Sequence, residues 1–129
     1  ILKQKKMNLS SNVNFFLGLQ MQLKVNHWQT KGFARHNAFG STFDELLELV
    51  DRYVEEAMGK YGRFILDDET KTIELVNLSE IDMKGFINTL REALVQFTSQ
   101  LDETDTNLLN IRDEILGLIN KLGYLLTLE

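Results

Sequence analysis

The feature that most constrains the fold is the absence of proline from a chain of 129 residues. Proline removes a backbone donor and clashes with the preceding helical turn, so a chain without it can form long uninterrupted helices. The eight glycines lie mostly between stretches in which apolar residues recur at helical spacing. The sequence therefore predicts an all-α protein whose helices are interrupted at glycines and polar turns.

Four helical stretches, A to D, follow from this periodicity. Ser79 is predicted to cap the third stretch through its hydroxyl, with Asp82 completing a capping box. Gly32 and Gly62 are predicted to end the first and second stretches. The predicted stretches are Leu9–Lys31 (A), His36–Tyr61 (B), a helix from Ser79 through Leu101 (C), and a helix from Leu108 to Leu125 (D) after the turn Asp102–Thr106. The predicted inward-facing residues are Phe16, Leu19, Leu23 and His27 in A, Phe39, Phe43, Leu46, Leu47, Val50, Val54 and Met58 in B, Phe86, Leu90, Leu94, Phe97 and Leu101 in C, and Leu108, Leu109, Ile111, Ile115, Leu118, Leu122 and Leu125 in D.

The lengths of the connections predict the topology. A–B and C–D are joined by short turns, so each pair is expected to form an antiparallel hairpin. Residues 63–78 between B and C are long enough to cross the length of a bundle, with room for one short helix. Two hairpins with one long B–C crossover are typical of the ferritin-like antiparallel four-helix bundle. We expect residues 1–129 to form a single domain of this kind.

Composition excludes several classes of function. With no Cys, the chain has no disulfide, thiolate nucleophile or zinc–thiolate site, and a reducing compartment such as the cytoplasm is expected. The sequence contains no run of about 18 apolar residues, so no membrane span is predicted. The start, Ile1 to Lys6, is basic without an apolar segment, so no signal peptide is predicted.

Charge argues against a broad nucleic-acid surface, because the net charge is −5. Lys3, Lys5 and Lys6 form a small basic cluster that could contact phosphate. A solvated chain end is the favoured interpretation of that cluster.

The two histidines, His27 and His36, flank the A–B turn. Their heights along the hairpin differ by only about 7 Å, so both side chains could approach one metal ion. A packed or hydrogen-bonded structural role is the more common fate of a histidine on an apolar stripe. No Glu is followed by His at the third position, which excludes the intrasubunit di-iron motif of helical bundles.

Carboxylates along helix B supply the other candidate ligands. Asp44, Glu48, Asp51 and Glu55 are spaced so that they form one stripe, which is either a solvated face or a surface for a hard metal ion. His36 and Asp51 lie roughly 22 Å apart along helix B, beyond the reach of their side chains. A site that combines them with the histidines therefore requires a second chain arriving antiparallel in a two-fold dimer.

The segment around the first histidine resembles a known family. The run His27-Trp28-Gln29-Thr30-Lys31-Gly32 is similar to the His-Trp-x-x-Lys/Arg-Gly signature of the Dps family of mini-ferritins. Asp51 follows His36 by fifteen residues and Glu55 follows four later, at the intervals of that family. The match covers the A–B hairpin well and the later helices only in pattern.

The resemblance implies an iron-storage protein. His27 and His36 of one subunit would bind iron opposite Asp51 and Glu55 of its two-fold mate. Trp28 would lie beside the site as an acceptor of oxidising equivalents, or equally as an interface residue. The family oxidises Fe(II) with hydrogen peroxide or oxygen and stores ferric mineral inside a shell of twelve subunits.

Three departures indicate a divergent member. The A–B connection is shorter than the resemblance implies, Gly40 replaces an acidic residue, and Glu56 replaces a basic one. These departures favour an alternative hypothesis, in which the chain is a structural shell protein that retains the Dps-type dimer but has no catalytic activity. A DNA-compacting protein that uses the Lys3, Lys5 and Lys6 cluster is the third alternative.

Overall fold

The computed structural model describes residues 7–128, and within that range the chain is helical without strands. The elements are the α-helices α1 (Leu9–Gln29), α2 (Phe33–Tyr61), α3 (Met83–Gln96) and α4 (Thr106–Leu125), and the 3-10 helices Leu78–Glu80 and Phe97–Gln100. The prediction of an all-α protein with four helices is confirmed. α1 packs on α2, α2 packs on α4, and α3 packs on α4. Within the described residues, no helix is both long and apolar enough to cross a membrane.

The turn between α1 and α2 is shorter than predicted. α1 ends at Gln29 because Thr30 takes up an extended backbone with φ −68° and ψ 145°. Helical hydrogen bonding resumes at once, since the His36 amide donates to the Gly32 carbonyl at 2.9 Å. α2 therefore begins at Phe33, before the predicted start at His36.

The predicted start of the third helix at Ser79 is wrong. Ser79 lies inside the 3-10 helix Leu78–Glu80, and the capping box belongs to Asn77 and Glu80. The Asn77 amide donates to Glu80 Oε2 at 2.8 Å. Ile81 is extended, with φ −97° and ψ 124°, and this separates the 3-10 helix from α3. The α-helix starts only after Asp82, whose carbonyl accepts from the Phe86 amide at 2.8 Å.

The core lies where the apolar stripes of the four helices meet. The predicted inward residues that are buried are Phe16, Leu19, Leu23, Phe39, Leu46, Val50, Leu90, Leu94, Phe97, Leu108, Ile111, Ile115, Leu118 and Leu122. Phe16, Tyr53 and Phe97 pack edge to face or tilted, with ring centroids 5.3 to 6.4 Å apart. Leu47 was predicted to face inward but is 41% exposed, because its position on α2 is turned away from α4.

The connection between α2 and α3 lies along α1. Asn14 Nδ2 donates to the Thr70 carbonyl at 2.9 Å. Further along α1, Gln22 Nε2 donates to the Val76 carbonyl at 3.0 Å, and Gln22 Oε1 accepts from the backbone amide of Val76 at 3.0 Å. Near the end of α1, Gln29 Oε1 accepts from the Leu78 amide at 2.7 Å. The connection therefore runs in the same direction as α1, mostly extended, and delivers α3 to the end of the molecule where α1 finishes.

Candidate metal centre

The histidines at the α1–α2 turn form a reciprocal pair. His27 lies in the last turn of α1 and His36 in the first turn of α2, so the tight turn brings the two rings together. His27 Nδ1 is 2.7 Å from the His36 carbonyl oxygen, and His36 Nδ1 is 2.8 Å from the His27 carbonyl oxygen. The imidazole rings stack with centroids 3.7 Å apart and planes inclined by 22°.

These contacts assign the tautomer of both rings. A carbonyl oxygen can only accept, so each Nδ1 must carry the proton and donate it. A neutral imidazole protonated at Nδ1 has a free lone pair at Nε2. Histidine ligands in metal sites are oriented in the same way, by donating the other ring N–H to a carbonyl or carboxylate. The turn therefore presents two half-buried imidazoles whose Nε2 atoms are suited to a divalent transition metal.

Gly40 provides the space that the His27 ring occupies. A Cβ at position 40 would lie 2.9 Å from both Cε1 and Nδ1 of His27, closer than Cβ atoms approach ring atoms. Gly40 lies one helical turn after His36, on the side of α2 that faces α1. An acidic side chain at this position is therefore incompatible with the observed ring position. Glycine at position 40 therefore has a steric role within the chain.

The side chain of Glu56 contacts Asn107 and Arg52. Glu56 Oε1 accepts from Asn107 Nδ2 at 2.8 Å, and its other oxygen is 3.9 Å from Arg52 Nε. Asn107 belongs to α4, so the carboxylate of Glu56 is directed to that side of α2. Its charge is partly neutralised there.

The predicted carboxylate ligands lie elsewhere on α2. Asp51 and Glu55 are exposed, as are Asp44 and Glu48 on the same stripe. Neither Asp51 nor Glu55 forms an ion pair within residues 7–128. His36 and Asp51 are separated by about 22 Å along the single helix α2. The structure thus brings His27 and His36 together, and within the described part of one chain no group of three His, Asp or Glu side chains could hold a metal ion.

An exposed apolar surface extends along α1 from Trp28, the residue directly after His27. Leu17, Met21 and Trp28 share one side of α1, and Leu47 belongs to the neighbouring part of α2; we call these four residues the outer face. Their exposures are 43%, 37%, 68% and 41%. Lys24 joins the two helices, with its Nζ 5.6 Å from the Trp28 ring centroid and 4.7 Å from that of Phe43.

Sequence reasoning missed two contributors to this centre. The backbone carbonyls of His27 and His36 fix the ring orientation, and a sequence pattern carries no signal for such a contact. Gly40 did have a signal, its place one turn after His36, but the absence of a side chain was interpreted only as a lost ligand. Lys3, Lys5 and Lys6 lie outside the described residues.

The fold and this turn define an all-α protein with a paired-histidine turn beside an exposed apolar face. The model of the family DUF5856, described as a family of unknown function, matches residues 27–126, so the chain belongs to that family. The chain is also similar to the uncharacterized 14.6 kDa protein in the mobD-ri intergenic region of Enterobacteria phage T4. The two are 29% identical over 123 residues, which cover 92% of this chain and 91% of the relative. No solved structure matches the chain significantly.

Proposed function

We propose that the protein binds and stores iron as a Dps-like ferroxidase, with each site shared between two subunits. His27 and His36 of one subunit would supply imidazole ligands, and Asp51 and Glu55 of a two-fold mate would supply carboxylates. The observation that carries the proposal is the reciprocal histidine pair: each Nδ1 is engaged with a backbone carbonyl, and a neutral ring held in this way carries its lone pair on Nε2. Nitrogen and oxygen ligands together suit Fe(II).

The chemistry requires two ions held close together. Each of two Fe(II) ions gives up one electron, and hydrogen peroxide accepts both electrons with two protons to form two water molecules. The role of the protein is to hold the ions and to admit the oxidant. The carboxylates of the mate would also balance the positive charge of Lys24, whose ammonium lies 5.6 Å from the ring of Trp28, the residue after His27.

A ferritin-like arrangement of the helices is part of this proposal. It is supported by the connection that follows α1, since this makes α2 and α3 begin at the same end of the molecule. Arg35 in the first turn of α2 and Lys84 in the first turn of α3 line one cavity. Spin labels at these two positions should report a short distance, whereas a simple up-and-down bundle would hold them a helix length apart.

The exposed outer face supports association. Four large apolar side chains are exposed along α1 and α2, starting from Trp28 directly after His27, and exposed apolar patches mark interaction sites. A two-fold dimer through this face would place the α2 stripe of one subunit antiparallel to that of the other. Closed assembly into a shell of twelve subunits is the further expectation from the resemblance.

The decisive experiment separates metal binding from the structural role of the histidines. An Asn side chain carries its amide nitrogen near the position of His Nδ1 and can donate to the same carbonyl, but it has no counterpart of Nε2. We expect His27→Asn combined with His36→Asn to keep the fold and oligomer while losing Fe(II) binding and oxidation. Anaerobic Fe(II) titration, followed optically after addition of hydrogen peroxide, measures this. Unchanged iron binding in the double variant would show the proposal to be wrong.

A structural protein without catalysis is the second candidate. The same reciprocal hydrogen bonds favour it, because they give both histidines a role in fixing the α1–α2 turn without any metal. In that case the wild-type protein would neither bind nor oxidise Fe(II). His27→Ala and His36→Ala would then lower thermal stability, and the Asn variants would restore it.

A further inference from the structure

A cavity at the end of the molecule lies between the start of α2, the part of α3 from Met83 to Arg91, and the end of α4. Its volume is about 420 Å³, within the range of small-molecule sites. Three cationic side chains line it: Arg35 from α2, and Lys84 and Arg91 from α3. Among the described residues, no Asp or Glu lines this cavity. This is notable in a chain with 19 acidic and 14 basic side chains.

Arg91 is held in place by neutral groups. Its Nε donates to Asn120 Oδ1 at 2.6 Å, and its Nη1 donates to Asn88 Oδ1 at 2.8 Å. The amides therefore fix the plane of the guanidinium without neutralising its charge. The remaining nitrogen, Nη2, lies beside Gly123, where a Cβ would be 3.5 Å from it.

Arg35 and Lys84 also have no carboxylate partner within residues 7–128. Arg35 Nη2 donates to the Leu126 carbonyl at 3.5 Å, a neutral acceptor at the end of α4. Arg52, Lys60 and Arg112 elsewhere on the chain each lie within ion-pair distance of a carboxylate. Three cations around one cavity repel one another, and an anion placed between them would relieve this.

The remaining lining is apolar. Met83, Ile87 and Leu126 form this part of the wall, and Ile87 and Leu126 are themselves buried. A ligand that fits both parts of the cavity would carry a charged group at one end and an apolar body at the other. Guanidinium groups match the oxygens of phosphate by forming paired hydrogen bonds.

We propose that this cavity binds a small molecule that carries a phosphate group on an apolar body. Arg35, Lys84 and Arg91 bind the phosphate oxygens, and Met83, Ile87 and Leu126 contact the body. The site is separate from the paired histidines, so the proposal does not depend on iron binding.

Calorimetric titration of the full chain with phenyl phosphate, inorganic phosphate and benzyl alcohol tests the proposal. We expect saturable binding of phenyl phosphate, weaker binding of inorganic phosphate because it lacks the apolar body, and no binding of benzyl alcohol. Arg91→Gln and Arg35→Gln should each weaken phenyl phosphate binding by about tenfold or more, since each removes a charge-assisted contact. Circular dichroism melting confirms that each variant is folded; the Arg35 variant leaves the α3–α4 contacts of Arg91 intact.

Arg63→Gln is the matched control, because it removes the same charge at an exposed position outside the cavity. It should leave phenyl phosphate affinity unchanged. The absence of saturable phenyl phosphate binding would overturn the proposal. So would an equal loss of affinity in Arg63→Gln, which would indicate general charge attraction. Inorganic phosphate binding as tightly as phenyl phosphate would refute the apolar part of the site.

Discussion

Gly40 lies against the imidazole of His27, where a Cβ would come within 2.9 Å of two ring atoms. In a helix interior, Gly→Ala usually stabilises by about 1 kcal/mol. We expect Gly40→Ala to lose that gain, because the ring must move and its hydrogen bond to the His36 carbonyl must weaken. If the histidines bind metal, the displaced ring should also lower the affinity for Fe(II). Thermal or denaturant unfolding, together with metal titration, measures both effects.

Gly59 provides the control on the same helix. A Cβ at Gly59 meets nothing within 4 Å, so Gly59→Ala should raise the free energy of unfolding by about 1 kcal/mol. The difference in the free energy of unfolding between the two variants separates the effect of the His27 contact from that of helix propensity. Equal stabilisation at both positions would mean that the His27 ring is not confined by Gly40.

At the scale of the elements, a buried carboxylate joins the end of α2 to the start of α4. Asp105 is 1% exposed and accepts hydrogen bonds from Lys60 Nζ, from the Tyr61 hydroxyl and from the Asp102 amide. Burial alone would raise the pKa of Asp105, but the hydrogen bonds from Lys60 and Tyr61 outweigh it and hold the pKa below its usual value. The same hydrogen bond raises the pKa of Lys60. The charged forms are therefore favoured on both sides of this contact.

This contact predicts how stability depends on pH. Because the folded pKa of Asp105 is lowered, its contribution is complete above the unfolded value of about 3.9 and is lost as the pH falls through the folded pKa. The contribution of Lys60 is present below about 10.4 and is lost as the pH rises through its raised pKa. Asp105→Asn should cost about 2 kcal/mol at neutral pH and reduce the loss of stability in acid. Denaturant unfolding between acidic and neutral pH measures both.

Asp102→Asn is the comparison. Asp102 Oδ2 is 3.7 Å from Lys60 Nζ, but its side chain is 55% exposed, so the ion pair contributes little in water. Its replacement should leave the acid dependence almost unchanged. If Asp102→Asn had the larger effect, the buried position of Asp105 would not be the source of the stability.

The elements also show which features the sequence could predict. The absence of proline and the helical spacing of apolar residues predicted four helices and most of their buried residues, because core packing repeats along each helix. Ser79 was wrongly chosen as a helix start, since its local pattern resembles a cap while Asn77 and Glu80 form the actual capping box. The His27–His36 ring contact and the buried position of Asp105 depend on residues brought together by the tertiary fold. The predicted hairpin did place His27 and His36 at similar heights, but local pattern carries no signal for the stacking of their rings or for the burial of Asp105.

For the whole molecule, the proposed metal site requires residues of two chains. The described part of one chain has the histidine pair at the α1–α2 turn and the exposed carboxylates of α2 far along the same helix. The outer face, formed by Leu17, Met21, Trp28 and Leu47, is an exposed apolar surface on the same two helices. A dimer through this outer face would both cover the surface and bring the carboxylates of one subunit to the histidines of the other.

Mixing two inactive variants tests this sharing directly. His27→Asn/His36→Asn removes the imidazole ligands, and Asp51→Asn/Glu55→Gln removes the carboxylates, so each variant alone should fail to oxidise Fe(II). After co-refolding in equal amounts, half of the dimers combine the two variants, and each mixed dimer has one intact site. Oxidation should then return to about a quarter of the wild-type rate.

A charge on the outer face tests whether that surface forms the dimer. Adding Leu47→Glu to one variant should abolish the rescue, whereas Val95→Glu, at a position on α3 that is 56% exposed, should not. No rescue on mixing, although the two variants form mixed dimers, would refute the shared site.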